Sequence, residues 1–342
     1  MTASKTDLNF NTDRVYVIAE IGMNHDGSLG LAQQLTIEAA KAGANIIKYQ
    51  WHIPDAETLP DAPAPHYFKG ETRYNYFKRT AFSVEQFDAL FALCHKLNVL
   101  SCVSLFSDES LALMLKTGAD VIKIPSGEVT NVPLLRSVAK TAYPVILSSG
   151  MSDWQELDRA VEILNRPDKL CLLQCSSIYP CPPENVGLNL IKEMRQRYGV
   201  PVGLSDHTLT SATALAAVVY GAKVIEKHFT ISKKLYGPDA GFSLDPEEFK
   251  KMADDIDYVV RALSSEIDKN DLSNYGDMRN VFQKSIVIKG PVSKGEVLTI
   301  NNLTFKKPGT GISASKIDEV LGKRINKNLQ DNTLLDWSDI NI

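Results

Sequence analysis

The chain has 342 residues and no run of about 18 apolar ones, so it encodes no helical span of a bilayer. Its first residues, MTASKTDLNFNTDR, lack the apolar core of a signal peptide. Both features read as a cytoplasmic protein. There are only five cysteines, an odd number, with no CxxC pair, which argues against a disulfide framework. Cys171 and Cys175 sit in the apolar run LCLLQCSS and read as small core residues. Excess positive charge is also missing. Lys plus Arg total 37 against 41 for Asp plus Glu, a net charge of −4. A basic face for nucleic acid is therefore excluded, although a local pocket for a small anion is not. No GxGxxG follows the first strand-like run, which removes the main support for a dinucleotide fold.

What is present is repetition. Eight short apolar, β-branched runs occur in the first 230 residues: 15–22, 45–50, 99–106, 121–126, 144–150, 170–177, 200–207 and 223–229. Helical patterns such as SLGLAQQLTIEAAKAG and SVEQFDALFALCHKLN lie between most of them. Near-continuous apolar strands alternating with helices make a parallel sheet covered on both faces. Eight units predict a closed (β/α)8 TIM barrel, with an open doubly wound sheet as the alternative. Gly43, Gly118 and Gly221 stand where helices end. The final helical pattern, 246–267, opens with Asp245 and has Glu248 three residues on, a capping box.

The texture changes after the barrel. We read residues 1–268 as barrel, 269–281 as a polar linker and 282–342 as a compact β-rich module. That module carries a weak internal repeat, IVIKGPVSKGEVLTINNL against RINKNLQDNTLLDWSDI. Between Gln50 and Ser83 a proline- and aromatic-rich excursion is too long for a plain barrel loop. It reads as a lid or as an oligomer contact.

Barrel active sites lie at the C-terminal ends of the strands. Those ends carry Glu20, Lys48 with Gln50, Ser104, Lys123 with Ser126, Ser148, Ser177, Ser205 with His207, and His228. Apolar strand ends would be expected from packing alone. An unpaired ammonium on a covered strand is costly. Lys48 and Lys123 therefore call for an anionic ligand, or else for a buried carboxylate among Glu20, Glu128 and Glu226. His207 and His228 end adjacent strands and can share one divalent cation, leaving positions open for water or substrate. Satisfied structural histidines are the alternative. His25 directly follows strand one and is a further candidate for the site.

The segments AEIGMNHDGSLGLAQQLTIEAAKAGANIIKYQ, KIPSGEV, LSSGM, CSSIYPCP, GLSDHT and EKHFT resemble the sialic acid synthase (N-acetylneuraminate synthase) family. FKKPGTGIS and VLGKRI resemble its C-terminal antifreeze-like SAF domain. The resemblance implies metal-dependent condensation of phosphoenolpyruvate with an N-acylated amino sugar, giving a nine-carbon 2-keto-3-deoxy acid and phosphate. It implies phosphoenolpyruvate binding by Lys48, Ser104, Lys123, Ser126, Ser148, Ser177 and Ser205. It implies Mn²⁺, or Mg²⁺ or Co²⁺, on His207 and His228. Glu20, Gln50, Tyr179, Asp239 and Lys307 would meet the acceptor sugar, and Glu20 or Glu128 would handle protons. A domain-swapped homodimer is implied as well.

Lys307 replaces an arginine usual in the family, Ser177 an asparagine, Ser104 a threonine and Tyr49 a histidine or phenylalanine. The acceptor expected is N-acetylmannosamine. Its 6-phosphate and a diacetamido-trideoxy hexose leading to legionaminic or pseudaminic acid are the alternatives. A synthase of seven- or eight-carbon sugar acids and a non-catalytic carbohydrate-binding homologue are the competing readings.

Overall fold

The computed structural model describes residues 8–64 and 70–341. They divide into two compact units that part between Ser265 and Glu266. The first is a closed barrel of eight parallel strands in chain order. The strands are β1 Tyr16–Glu20, β2 Ile46–Trp51, β3 Leu100–Leu105, β4 Val121–Ile124, β5 Val145–Ser148, β6 Leu170–Cys175, β7 Val202–Asp206 and β8 Val224–His228. Each falls within one of the eight apolar runs or one residue beyond it. β8 pairs with β1, with Glu20 opposite His228, which closes the ring.

Alternation along each strand sorts the side chains into two sets. On β2, Ile47, Tyr49 and Trp51 join the large apolar cluster between the strands and the helices. Ile46 joins a second cluster with Ile18, Cys102, Val121, Ile146, Cys171, Leu173 and Val224, and Phe10 packs with it. That second set is the barrel floor. Above Ile46, the same face of β2 carries Lys48 and Gln50. The barrel interior is thus apolar toward the strand starts and polar toward the strand ends.

The helices end and begin as their sequences direct. Asp245 accepts hydrogen bonds from the Glu247 and Glu248 amides and caps the helix Pro246–Ser264. Gly43 and Gly221 take left-handed φ angles of 95° and 94°, while Gly118 instead donates to Asp88 at 3.3 Å. The excursion after β2 forms two short helices, Pro54–Glu57 and Arg73–Thr80. His66, part of its aromatic stretch, lies outside the described residues. No helix of the described residues is long and apolar enough to cross a membrane.

The second unit holds an antiparallel pair, β9 Ser285–Ile288 and β10 Leu303–Lys306. Its core is built from Ile286, Ile288, Val292, Leu298, Leu303, Ile312, Val320, Ile325, Leu329, Leu335 and Ile340. The internal repeat has a structural counterpart. Asn302 accepts from the Thr299 amide at 2.7 Å and Asp339 from the Asp336 amide at 3.0 Å, and each turn directly follows a fully buried leucine, Leu298 or Leu335. Residues 269–281 belong to this unit and include most of a short helix, Gly276–Phe282.

Candidate active site

A cavity of about 660 Å³ opens at the C-terminal ends of the strands. Glu20, Lys48, Gln50, Ser104, Lys123, Ser126, Glu128, Ser148, Ser177, Tyr179, Ser205, His207, His228 and Asp239 all line it. Lys307 is the one expected site residue carried by the second unit, where its ammonium lies 4.9 Å from the Phe282 ring.

The two lysines have carboxylate partners. Lys48 Nζ lies 2.7 Å from Glu20 Oε2 and 3.2 Å from Glu226 Oε1. Lys123 Nζ lies 2.8 Å from Glu226 Oε2, and Ser205 donates to Glu226 Oε1 at 2.8 Å. Burial works against the Glu226 charge, but Lys123 and Lys48 outweigh it and hold the carboxyl well below its ordinary range. Burial also lowers Lys123, with Glu226 opposing. For Lys48 burial acts downward too, and Glu20 with Glu226 more than reverses it. Two ammonium groups and two carboxylates therefore balance before any ligand arrives. The carboxylate alternative for the lysines is the one realised, yet both ammonium groups still line the open cavity.

Beside Lys123 there is room shaped for a small anion. A Cβ placed on Gly150 would come within 2.5 Å of Ser177 Oγ and 2.7 Å of Ser126 Oγ. Glycine at this position lets the two hydroxyls converge. Ser177 Oγ is buried without a hydrogen-bond partner, a donor held ready for an oxygen that the ligand would bring. On the opposite side of the cavity Asp239 Oδ2 accepts from the Met23 amide at 2.9 Å. A Cβ on Gly22, at φ 51°, would clash with that oxygen at 2.4 Å. Burial raises the Asp239 carboxyl to about 6 and raises Glu128 as well.

The histidine pair has its ring centroids 5.5 Å apart, with Tyr179 4.2 Å from His207. His207 Nδ1 donates to the Ser176 carbonyl at 2.8 Å, which fixes the tautomer and leaves Nε2 as the nitrogen that a cation would take. His228 Nδ1 is buried with no partner, 3.9 Å from Asp239. Among the described residues no group of three or more His, Cys, Asp or Glu is placed to hold a metal ion. A tautomer-fixed imidazole beside an orphaned one fits a divalent ion held by two protein ligands and completed by water or substrate.

Several lining residues had no assigned role in the sequence reading. Cys175 is not plain core, because it lines the cavity against His207. Burial pushes its thiol up, but the imidazole prevails and brings it down to about 7. Glu226, one of the three carboxylates offered by the sequence as a lysine partner, lies two residues before His228 on β8 and lines the cavity with it. Arg73 and Phe77 enter from the excursion and Phe106 from the end of β3. His25 stays outside the cavity lining. It stacks on Phe82 at 4.3 Å, and its Nδ1 accepts from the Gly27 amide at 3.0 Å.

Comparison with known proteins assigns the family. The model of the NeuB family matches residues 35–268. The chain belongs to the NeuB family. The SAF domain model matches residues 283–341. N,N'-diacetyllegionaminic acid synthase of Campylobacter jejuni is 34% identical, over 94% of this chain and 99% of its own. Pseudaminic acid synthase of Helicobacter pylori is 33% identical, over 95% and 97%. The crystal structure of N-acetylneuraminic acid synthetase from Leptospira borgpetersenii superposes with a TM-score of 0.69 at 31% identity, over 78% of this chain and 90% of that one. The resemblance noted in the sequence therefore stands for both the barrel and the SAF domain.

Proposed function

We propose that this NeuB-family chain condenses phosphoenolpyruvate with an open-chain N-acylated amino sugar, forming a nine-carbon 2-keto-3-deoxy acid and inorganic phosphate. The observation that carries this reading is the juxtaposition within one cavity of the Lys123–Ser126–Ser177 recess and the His207/His228 pair. The recess suits a phosphate that is bonded to the reacting carbon. The lysines and serines, Lys48, Ser104, Ser148 and Ser205 among them, fix that phosphate and its carboxylate. A divalent ion on His207 and His228, Mn²⁺ or else Mg²⁺ or Co²⁺, supplies Lewis acidity at the acceptor's aldehyde oxygen when bound.

Carbon 3 of phosphoenolpyruvate forms the new bond to the aldehyde carbon, and water adds at carbon 2. The carbon–oxygen bond to phosphate then breaks. One proton of the water ends on the former aldehyde oxygen and the other leaves with phosphate. Glu20 or Glu128 holds the first of these protons in transit, and the burial that raises Glu128 supports that reading. Gln50, Tyr179 and Asp239 line the acceptor side, with Lys307 as the SAF-domain contribution.

The acceptor is N-acetylmannosamine, its 6-phosphate or a diacetamido-trideoxy hexose, and the first and last have specific support. The names of the Campylobacter and Helicobacter relatives favour the last as much as the QWHI segment and the 66–77 aromatics favour the first. We also infer a homodimer in the cytoplasm, with the tail of one chain capping the barrel of its partner. Its support is the exposed apolar series Ile267, Leu272, Tyr275, Met278, Val281 and Phe282, and the mass in solution tests it.

Phosphate release from phosphoenolpyruvate, measured with each sugar and with N-acetylmannosamine 6-phosphate, tests the reaction. Turnover with one sugar, abolished by EDTA and restored by Mn²⁺, is the expected result. Absence of release with every sugar from folded, metal-supplemented protein would overturn the assignment.

A further inference from the structure

A chain of hydrogen bonds runs from the excursion after β2 into the cavity. Glu57 Oε1 lies 2.6 Å from His52 Nδ1. His52 Nε2 lies 2.9 Å from Gln50 Oε1. Gln50 Nε2 donates to Glu20 Oε1 at 2.7 Å. Glu20 then pairs through its other oxygen with Lys48. His52 is held flat between two rings, Phe77 at 3.7 Å and 9° and Phe106 at 4.2 Å and 21°. Both carboxylates at the His52 end and the Glu20 end are buried.

The chemistry of the four groups restricts how the three bonds can be made. Ionised Glu20, beside the Lys48 ammonium, can only accept, so Gln50 must turn its amide N–H toward it. The Gln50 carbonyl then faces His52, and only an N–H on Nε2 can meet it. Glu57 occupies the other ring nitrogen. With a neutral imidazole bonded to Glu57 through Nδ1–H, the second contact would set two lone pairs against each other. The His52–Glu57 pair must therefore carry one proton more than a neutral ring and a carboxylate. The parallel faces of Phe77 and Phe106 hold the ring in the plane in which Nδ1 meets Glu57 and Nε2 meets Gln50.

We propose that His52, backed by Glu57, is a positioning residue for the acceptor side of the site. Its Nε2–H locks the Gln50 side-chain amide so that the N–H faces Glu20 and the carbonyl faces away. A Gln50 amide turned the other way would set its carbonyl against the Glu20 carboxylate and lose the hold on that side chain. The assignment of an acceptor side rests on the synthase reading above, whereas the state of the His52 ring does not.

The test therefore has two arms. In protein labelled with ¹⁵N-histidine, the His52 ring, assigned by comparison with His52→Phe, shows a proton on Nε2, and keeps it in Glu57→Gln, where the new amide N–H can donate to a bare Nδ1. A ring with a bare Nε2 in the wild-type protein would overturn the proposal whatever the enzyme does. In the kinetic arm, His52→Phe keeps the stack between Phe77 and Phe106 and removes both hydrogen bonds. It lowers kcat/KM for the sugar by about tenfold, the scale of one hydrogen bond to a charged group, and leaves the KM for phosphoenolpyruvate unchanged. Wild-type kinetics in His52→Phe would mean that the ring only packs, and would equally overturn it. Circular dichroism of both variants separates a lost bond from a lost fold.

Discussion

Glu226→Gln removes the one carboxylate shared by both cavity lysines. At an effective dielectric of about 20, contacts of 2.8 and 3.2 Å correspond to a gross attraction of about 5–6 kcal/mol each. Desolvation already offsets much of that, and breaking a buried pair is measured at about 3–5 kcal/mol. There is also a ceiling. An unpaired buried lysine sheds its proton at neutral pH for about 4–5 kcal/mol, from its ordinary value near 10.4, and Lys123 is already lowered by burial. The expected loss is thus about 3–5 kcal/mol, or about 6–20 °C of melting temperature for a unit of this size. The same change leaves the cavity one charge more positive. Added phosphate or phosphoenolpyruvate should therefore raise the melting temperature of Glu226→Gln by more than it raises that of the wild type. Differential scanning fluorimetry with and without each anion reads both effects. A variant that melts like the wild type would refute the energetic reasoning. One that melts lower and gains no more from anions would refute the reading of this cavity as an anion site.

Gly150→Ala should leave circular dichroism unchanged and raise the KM for phosphoenolpyruvate by about tenfold or more, since the added methyl displaces the Ser126 and Ser177 hydroxyls; steady-state kinetics checks it. Asp120→Ala lies at the opposite end of the barrel, where Asp120 accepts from the Ser101 amide and hydroxyl at 2.9 and 2.8 Å. It should cost about 2–3 kcal/mol in urea unfolding and leave both KM values alone. Burial and the nearby His52 ring lower His25 from its ordinary 6.5 to about 4. The unfolded chain takes up this proton at higher pH than the folded one. Stability is then full above about pH 6.5 and lost toward pH 4, by about 2 kcal/mol between pH 7 and 5. A His25→Asn variant, unfolded in urea at both values, should lack that part of the slope.

The barrel and the polar strand ends were legible because a covered parallel strand has little reason to end in Lys, Ser or His. Eight strands doing so in order left few other architectures. The pairing inside the cavity was not legible. Lys123 and Glu226 are 103 residues apart, and nothing local indicates which of Glu20, Glu128 and Glu226 takes which lysine. Closure of the ring decides it, because β8 returns beside β1 and brings Glu226 opposite Ile18, one layer below the Glu20–His228 pair. His52 was passed over for a similar reason. A lone histidine in a proline-rich stretch carries no signal until Phe77 and Phe106 arrive from elsewhere in the chain. His25 shows the reverse error, since proximity to a strand end does not aim a ring. Cys175 looked like core because its neighbours in LCLLQC are, yet its position at the end of β6 brings it to the cavity.

The two-residue alternation on β2 has a practical reach for altering this protein. Ile47, Tyr49 and Trp51 face the helices, while Ile46, Lys48 and Gln50 face inward. The same split recurs around the ring, with the floor cluster beneath the charged layer. A combinatorial library confined to inward positions at the strand ends would vary acceptor choice on a constant scaffold. One confined to the helix-facing positions would vary thermal tolerance at constant chemistry. The pleat thus separates two traits that most enzymes inherit together.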